Sequence, residues 1–544
     1  TNLLTNQRFL YIINRITVYN LENVQEENCE EAIMTGNTLG WVIVAFVLYL
    51  LMMIAIGALY AKGNNNSEDY FLGGRKLNGF VAALSAQASD MSGWLLMGLP
   101  GAIYLTGVGG DGWIAIGLFI GTTLNWLLIA TKLRRYTIRA NNSVTLPTYF
   151  ENRFHDEKKV LMTVSSITIV VFFLVYCASA LSAGGQLFES VFGIDYHVAL
   201  TIGALVVLVY TFLGGFTAVC VTDFIQGMLM LVGILAVPLF AYHFLTTGGT
   251  TLSAGLEASG ADSANFLNLM KNGDGSNNII SVISGLGWGL GYFGMPHILV
   301  RFMAVRDEKE MTKSKATAIS WVALSLGFAV FIGILGRAYL PELVNGNNEK
   351  VFIEMIKKVF TVEMRAPFIA GLFLCGILAA IMSTADSQLL VSASSVAEDI
   401  FKGLLKKDAD DKTVMNVSRV TVLVVAVLAY IIAWNPNNTV MGLVSNAWAG
   451  LGAAFGPLVV MSLYWKRTNF PGAVAGIVTG ALAVIIWDYI PLVGGQTLGK
   501  ATGLYSLVVG FGLGLIAIIA VSLTTKAPSE EMLQEFEDVK ANRL

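Results

Sequence analysis

From Leu39 to about residue 525, apolar segments long enough to cross a bilayer recur along the chain, and nothing else restricts the fold as strongly. They read near 39–62, 78–106, 112–134, 160–190, 195–217, 221–246, 277–304, 316–340, 366–400, 413–434, 438–464, 469–490 and 499–525, thirteen in all. In lipid each span must satisfy its own backbone, so each is read as a helix and the chain as an all-α polytopic membrane protein. Composition agrees: 13% of the residues are charged, where a soluble domain carries about 25%. Residues 39–525 form one transmembrane domain between a polar stretch, 1–38, and a tail, 526–544. Met34 stands just before the first span. Residues 1–33 are therefore either a leader extension or a genuine extramembrane segment, and no small-residue cleavage site marks a signal peptide.

A net charge of −3 gives no basic field for nucleic acid. Cys177, Cys220 and Cys375 sit in apolar runs without paired metal spacing and read as core residues; Cys29 lies in the polar stretch. Thirteen spans put the termini on opposite sides, and basic residues orient them. The connections after the first, third, seventh, ninth and eleventh spans carry Arg75 and Lys76, then Arg134, Arg135 and Arg139, then Arg301 and Arg306, then Lys402 and Lys406, then Lys466 and Arg467. The alternate connections are poor in both types, except 341–365, which mixes charges and reads as an external amphipathic helix. The N-terminus is expected outside and the C-terminus in the cytoplasm. Gly494–Lys500 and Gly107–Gly112 match phosphate- and dinucleotide-binding patterns only in part and lack strand–helix context, so neither is read as a nucleotide site. The chain is read as a transporter rather than an enzyme.

Three stretches break the apolar pattern. In Ser85–Gly101, Asp90 lies among Ser85, Ser89, Ser92, Gly93, Gly98 and Pro100. A carboxylate at mid-span costs about 3 kcal/mol, and irregular backbone survives at that depth only where it lines an enclosed cavity. The stretch is either a broken helix that handles a cation or a kinked helix with Asp90 in a structural hydrogen-bond network. Gly285–His297 holds five glycines before Pro296, each weakening a helix by about 1 kcal/mol relative to Ala. Trp288, Tyr292 and Pro296 recur every four residues, on one helical face. A second break and close helix packing through small residues both fit. The two stretches lie in spans two and seven, five spans apart, as discontinuous helices do in inverted-repeat transporters. In Ala380–Gln388, Ser383, Thr384, Asp386 and Ser387 share an arc of about 160°. Such oxygens suit a hard cation, or the hydroxyls bond back to their own helix. Asp223 either caps the start of span six or ligates an ion, and Tyr176 either packs the core or walls a cavity.

SEDYFLGGRKL (67–77), SDMSGWLLMGLPGA (89–102), VYCASALSAG (175–184), TFLGGFTAV (211–219), GWGLGYFGMPHILVRFMA (287–304), ILAAIMST (377–384) and NAWAGLGAAFGP (446–457) resemble the sodium:solute symporter family, from about residue 39 to 525. The second and fifth motifs are similar to its proline branch. The resemblance implies a LeuT-like core of five plus five inverted helices, with repeats at about 78–246 and 277–464 and broken helices in spans two and seven. It implies a multi-pass plasma-membrane symporter that couples sodium ions to L-proline or a similar small zwitterion, with no obligate protein partner. Another solute, such as a different amino acid or pantothenate, is the alternative, and a sensor or channel on the same fold a remote one. The implied main sodium site comprises backbone carbonyls of Ala88, Met91 and Ala380 and hydroxyls of Ser383 and Thr384, with Asp90 essential for coupling. The implied substrate cavity includes Ser92, Gly93, Trp94, Tyr176, Trp288, Tyr292 and Pro296. Asp223, with Asp386 and Ser387, would form a second sodium site or an inner exit route. Three residues depart from the family pattern: Met295 where Gln is expected, Val221 where Trp is expected, and Asp386 where a small neutral residue is usual.

Overall fold

The computed structural model describes residues 36–61, 67–211 and 215–543. The expectations for residues 1–33, Met34 and Cys29, and residues 212–214 of the fourth motif, lie outside the described residues.

Among the described residues ten helices are long and apolar enough to cross a membrane, or eleven if one bent pair counts as a single span. The chain is an all-helical multi-pass membrane protein. In order the described α-helices of eight residues or more are α1 (Gly36–Ala61), α2 (Gly79–Asp90), α3 (Leu99–Thr106), α4 (Val108–Leu124), α5 (Ala130–Arg139), α6 (Leu146–Arg153), α7 (Val160–Phe192), α8 (Tyr196–Thr211), α9 (Phe216–Thr247), α10 (Ile279–Trp288), α11 (Pro296–Ala304), α12 (Glu308–Tyr339), α13 (Pro367–Ser394), α14 (Asp411–Ala433), α15 (Val440–Tyr464), α16 (Phe470–Tyr489), α17 (Ser506–Thr524) and α18 (Glu530–Lys540). By this measure the count falls short of thirteen at two places. The apolar run 78–106 is cut at 91–93 into two short helices, and α8 has 16 residues. Apolar length belongs to the sequence; helix length belongs to the backbone, and the first break divides one without shortening the other.

The bent pair is Ile279–Gly294 with Pro296–Ala304, at 47°. Residues Gly289–Gly294 tighten into a 3-10 turn, Met295 is extended, and Pro296 opens α11 at its first position. Proline there needs no amide partner, so it starts the second half rather than kinking the first. The expected single face of Trp288, Tyr292 and Pro296 therefore does not form. The glycines also serve close packing. A Cβ on Gly289 would lie 2.2 Å from Gly117 O, and one on Gly285 2.5 Å from Trp113 Cβ, so α4 and α10 meet backbone to backbone.

α13 is the central helix: 83% of its apolar window is buried, against 28% for α17 at the periphery. It packs against α1, α2, α7 and α9. The connection 341–365, read as an external amphipathic helix, contains a short helix, Val351–Lys357, which buries Val351, Phe352, Ile353, Met355 and Ile356 and leaves Glu354 and Lys357 half-buried. Cys177, Cys220 and Cys375 are buried free thiols, as their apolar runs implied. Gly494 and Gly495, both with positive φ, turn a small hairpin between Pro491–Val493 and Gln496–Thr497, which is the use of the phosphate-loop-like stretch.

Candidate ion and substrate site

α2 stops at Asp90 because Met91 leaves the helical region (φ −85°, ψ 78°). The last carbonyls of a helix lack partners within it and carry the negative end of its dipole. Here they find partners across the molecule. Ala88 O accepts from Ser383 Oγ at 2.7 Å and from Thr384 Oγ1 at 3.4 Å. Ser383 Oγ is also 3.3 Å from Ala380 O, in its own helix. Four of the five expected sodium ligands thus converge on one point between α2 and α13; Met91 ends the helix beside them. All are fully buried.

Asp90 O accepts from Trp94 Nε1 at 2.8 Å and from Tyr176 OH at 3.4 Å. The Asp90 carboxylate points elsewhere: Tyr292 OH donates to Oδ2 at 2.6 Å, while Oδ1 is buried without a hydrogen-bond partner. One residue therefore joins the break in span two to the 3-10 turn of span seven and to α7. Gly93 faces α7 so closely that a Cβ would lie 2.7 Å from Ala183 Cβ.

Beyond this break stand the other expected cavity residues. Trp288 stacks on Tyr505, with ring centres 4.8 Å apart, and its carbonyl accepts from Trp448 Nε1 at 2.8 Å. Tyr292 meets Trp448 edge-on at 5.1 Å, and Tyr292 O accepts from Asn125 Nδ2 at 2.9 Å. Ser92 Oγ is 3.4 Å from Trp94 N. Pro296 is separated from Trp288 by the bend, and His297 beside it lies edge-on to Tyr176 at 6.0 Å. The sequence reading gives Trp448, Tyr505, Asn125 and His297 no site role. Trp448 and His297 lie within the quoted motifs, and Tyr505 and Asn125 lie outside them.

The residues expected as a second sodium site or exit route also come together, around a group the sequence reading left out. Arg301, 1% exposed, donates from NH2 to Asp223 Oδ2 (3.2 Å) and to Ser387 Oγ (2.6 Å), and from Nε to Ser85 Oγ (3.1 Å). Ser85 Oγ in turn donates to Asp223 Oδ2 at 2.7 Å, and Ser387 Oγ to Asp386 Oδ1 at 3.3 Å. Asp223 is no helix cap: α9 starts at Phe216, seven residues earlier. The arc on α13 is therefore divided. Ser383 and Thr384 face the Ala88 carbonyl of α2; Ser387 bonds the guanidinium, and Asp386 accepts from Ser387. Arg301 was read as part of a basic connection, yet it lies in the last turn of α11, inside the protein.

The family model of the sodium:solute symporters matches residues 70–480. This chain belongs to the sodium:solute symporter family. It is 44% identical over 506 residues to the sodium/proline symporter of Escherichia coli, covering 92% of this chain and 96% of that protein. It is 43% identical over 488 residues to a high-affinity proline transporter of Bacillus subtilis, covering 89% and 98%. Among solved structures, a Na+-coupled sialic acid symporter in a substrate-bound outward-open state superposes with a TM-score of 0.72. That match covers 90% of this chain and 99% of the other at 20% identity, so it speaks to the fold alone.

Proposed function

We propose that this protein carries L-proline into the cell with sodium by alternating access. One observation carries the reading: the hydroxyls of Ser383 and Thr384 meet the freed carbonyl of Ala88 at the break in span two. A dehydrated sodium ion needs such a cluster of oxygens, and a helix C-terminus supplies it without a competing positive charge. Bound there, the ion draws α2 and α13 together. Asp90 transmits that order through Tyr292 to the substrate cavity. Sodium and substrate then tighten each other's binding by the same factor.

Proline is a zwitterion with an apolar ring. The ring fits the aromatic wall of Trp288, Tyr292 and Trp448. The carboxylate suits the opening end of α11 beside Pro296, where amide hydrogens point outward. At ~100 mV one charge contributes about 2.3 kcal/mol, and a tenfold gradient adds ~1.4 kcal/mol. Together they support roughly 500-fold accumulation of a neutral solute, so one ion suffices.

The two shorter helical segments, 79–106 and 196–211, complete thirteen spans in this reading, with inverted repeats at about 78–246 and 277–464. Arg75, Arg134, Arg135 and Arg306 gather around one end of the broken spans, which supports a cytoplasmic assignment of that end in the plasma membrane, with the N-terminus outside. Asp223, Arg301 and Ser387 would close the inner exit from the sodium site until the bundle opens. Met295 replaces an expected Gln, which favours a test of related solutes.

The experiment is uptake of labelled proline into proteoliposomes with and without a sodium gradient, with Asp90→Ala as control and unlabelled solutes as competitors. Sodium-driven proline uptake lost in Asp90→Ala supports the reading. Uptake of another solute alone, or uptake indifferent to sodium, overturns it.

A further inference from the structure

α18 packs against the connection between the third and fourth spans. Met532, Phe536 and Val539 line one face and are buried. The spacing of four and three residues is a helical stripe. Against it lies Arg153, 1% exposed, with its guanidinium carbon 5.7 Å from the Phe536 ring centre and 4.8 Å from that of Tyr136. Arg153 Nε donates to Ser462 O at the end of α15, at 3.3 Å. Polar contacts flank the stripe: the Arg139–Asp538 ion pair at 3.5 Å, and His155 Nε2 at 3.2 Å from Glu535 Oε2. Arg139 ends α5, Arg153 ends α6, and His155 lies just beyond α6. α18 thus touches both sides of this connection.

The same connection holds the inner ends of both broken spans. Arg134 donates from Nε to Val305 O and from NH2 to Arg306 O, each at 2.6 Å. Arg135 pairs with Glu308 at 2.7 Å. Arg75, just before α2, donates to Asn142 Oδ1 and Ser143 O at 2.8 Å and to Met303 O at 2.7 Å. Leu77 and Arg306 complete the latch through their backbones, Leu77 N to Ala304 O at 3.2 Å and Arg306 N to Leu77 O at 3.0 Å. In the alternating-access reading, opening the inner side between spans two and seven breaks these bonds.

We infer that α18 is a strap on the inner gate, with Phe536 and Asp538 as positioning residues that hold α5 against the Leu77–Arg306 latch. They act through Arg153 and Arg139 and touch neither ion nor substrate. The inference rests on the alternating-access reading, but the latch and its test do not depend on which solute is carried.

The test is hydrogen exchange of the full-length protein in nanodiscs, read at the Leu77 and Arg306 amides, beside sodium-dependent uptake. Phe536→Ala speeds exchange at both amides by roughly three- to tenfold and raises the external sodium concentration for half-maximal uptake, as the inward-open population grows. Phe536→Leu restores both. Asp538→Arg speeds exchange, and adding Arg139→Asp brings it back. The double reversal also separates a lost strap from a misfolded one. Unchanged exchange at Leu77 and Arg306 while α18 itself exchanges freely would overturn the strap. So would a loss of protection spread evenly over α13 and α15. Failure of proline uptake in the parent protein, with the exchange pattern intact, would strike the substrate and leave the strap standing.

Discussion

Two sites lie close together between the same helices, α2 and α13, and they are built from nearly the same parts. At the first, Ala88, Ser383 and Thr384 gather neutral oxygens around the end of α2. At the second, Asp223, Ser85 and Ser387 gather oxygens around Arg301. The first holds no charged group, and in the proposed cycle a mobile ion supplies its positive charge. The second has a positive charge built into the chain. A carboxylate sits near each, but Asp90 binds a tyrosine hydroxyl whereas Asp223 binds a guanidinium. In that cycle a site that must release its cation is made from weak, neutral ligands, and a site that must hold is made from a buried ion pair.

The sharpest way to break this contrast is Arg301→Ala. It leaves Asp223 buried without its counter-charge, and the expected loss is about 3–5 kcal/mol of stability, read as a lower melting temperature in detergent. If the variant instead melts normally in sodium and its sodium dependence steepens toward a Hill coefficient near two, the second site accepts a mobile ion after all. The parent should show a coefficient near one.

Removing both hydroxyls, Ser383→Ala with Thr384→Ala, attacks the other member of the pair. Each bond to a charged partner is worth about 1.5–3 kcal/mol, so sodium affinity should fall by a hundredfold or more while the melting temperature without sodium hardly moves. An equal fall in melting temperature would make the first site structural too. Gly93→Ala comes next. The added carbon meets Ala183, and overpacking costs about 1–3 kcal/mol, seen as slower turnover with sodium affinity less affected. The smallest effect is expected from Tyr292→Phe. Losing one hydroxyl bond to Asp90 costs roughly 0.5–1.5 kcal/mol, so the sodium and proline constants should both weaken by severalfold. A change in only one of them would show that Asp90 does not link the two sites.

Much of the first site was legible before any coordinates, because its signals are local. Asp90 among serines and glycines announces a costly, broken span, and Ser383 with Thr384 lies one turn below Ala380 on a single helix. Little of the second site was legible in the same way. Asp223 has the look of a cap, Asp386 of an extra ligand, and Arg301 of an ordinary cytoplasmic arginine. Sequence neighbours suggest those roles, whereas the partners of Arg301 lie 78, 86 and 216 positions away. The glycines of span seven taught a related lesson. The alternatives were a broken helix or close packing, and the structure uses the same residues for both.

The sequence by itself determined that this chain is a bundle of membrane helices and where two of them fail, and it marked the oxygens proposed as sodium ligands. Those follow from hydrophobic length, from the cost of an ionisable group in lipid and from the orphan carbonyls at a helix end, all properties of short stretches. Only the tertiary structure decided that Arg301 fills the second cluster, that Tyr292 takes the Asp90 carboxylate, and that α18 packs against α5. Those depend on which helix faces which. Facing is set by packing among segments hundreds of residues apart, and apolar patterning, alike on nearly every span here, carries little information about it.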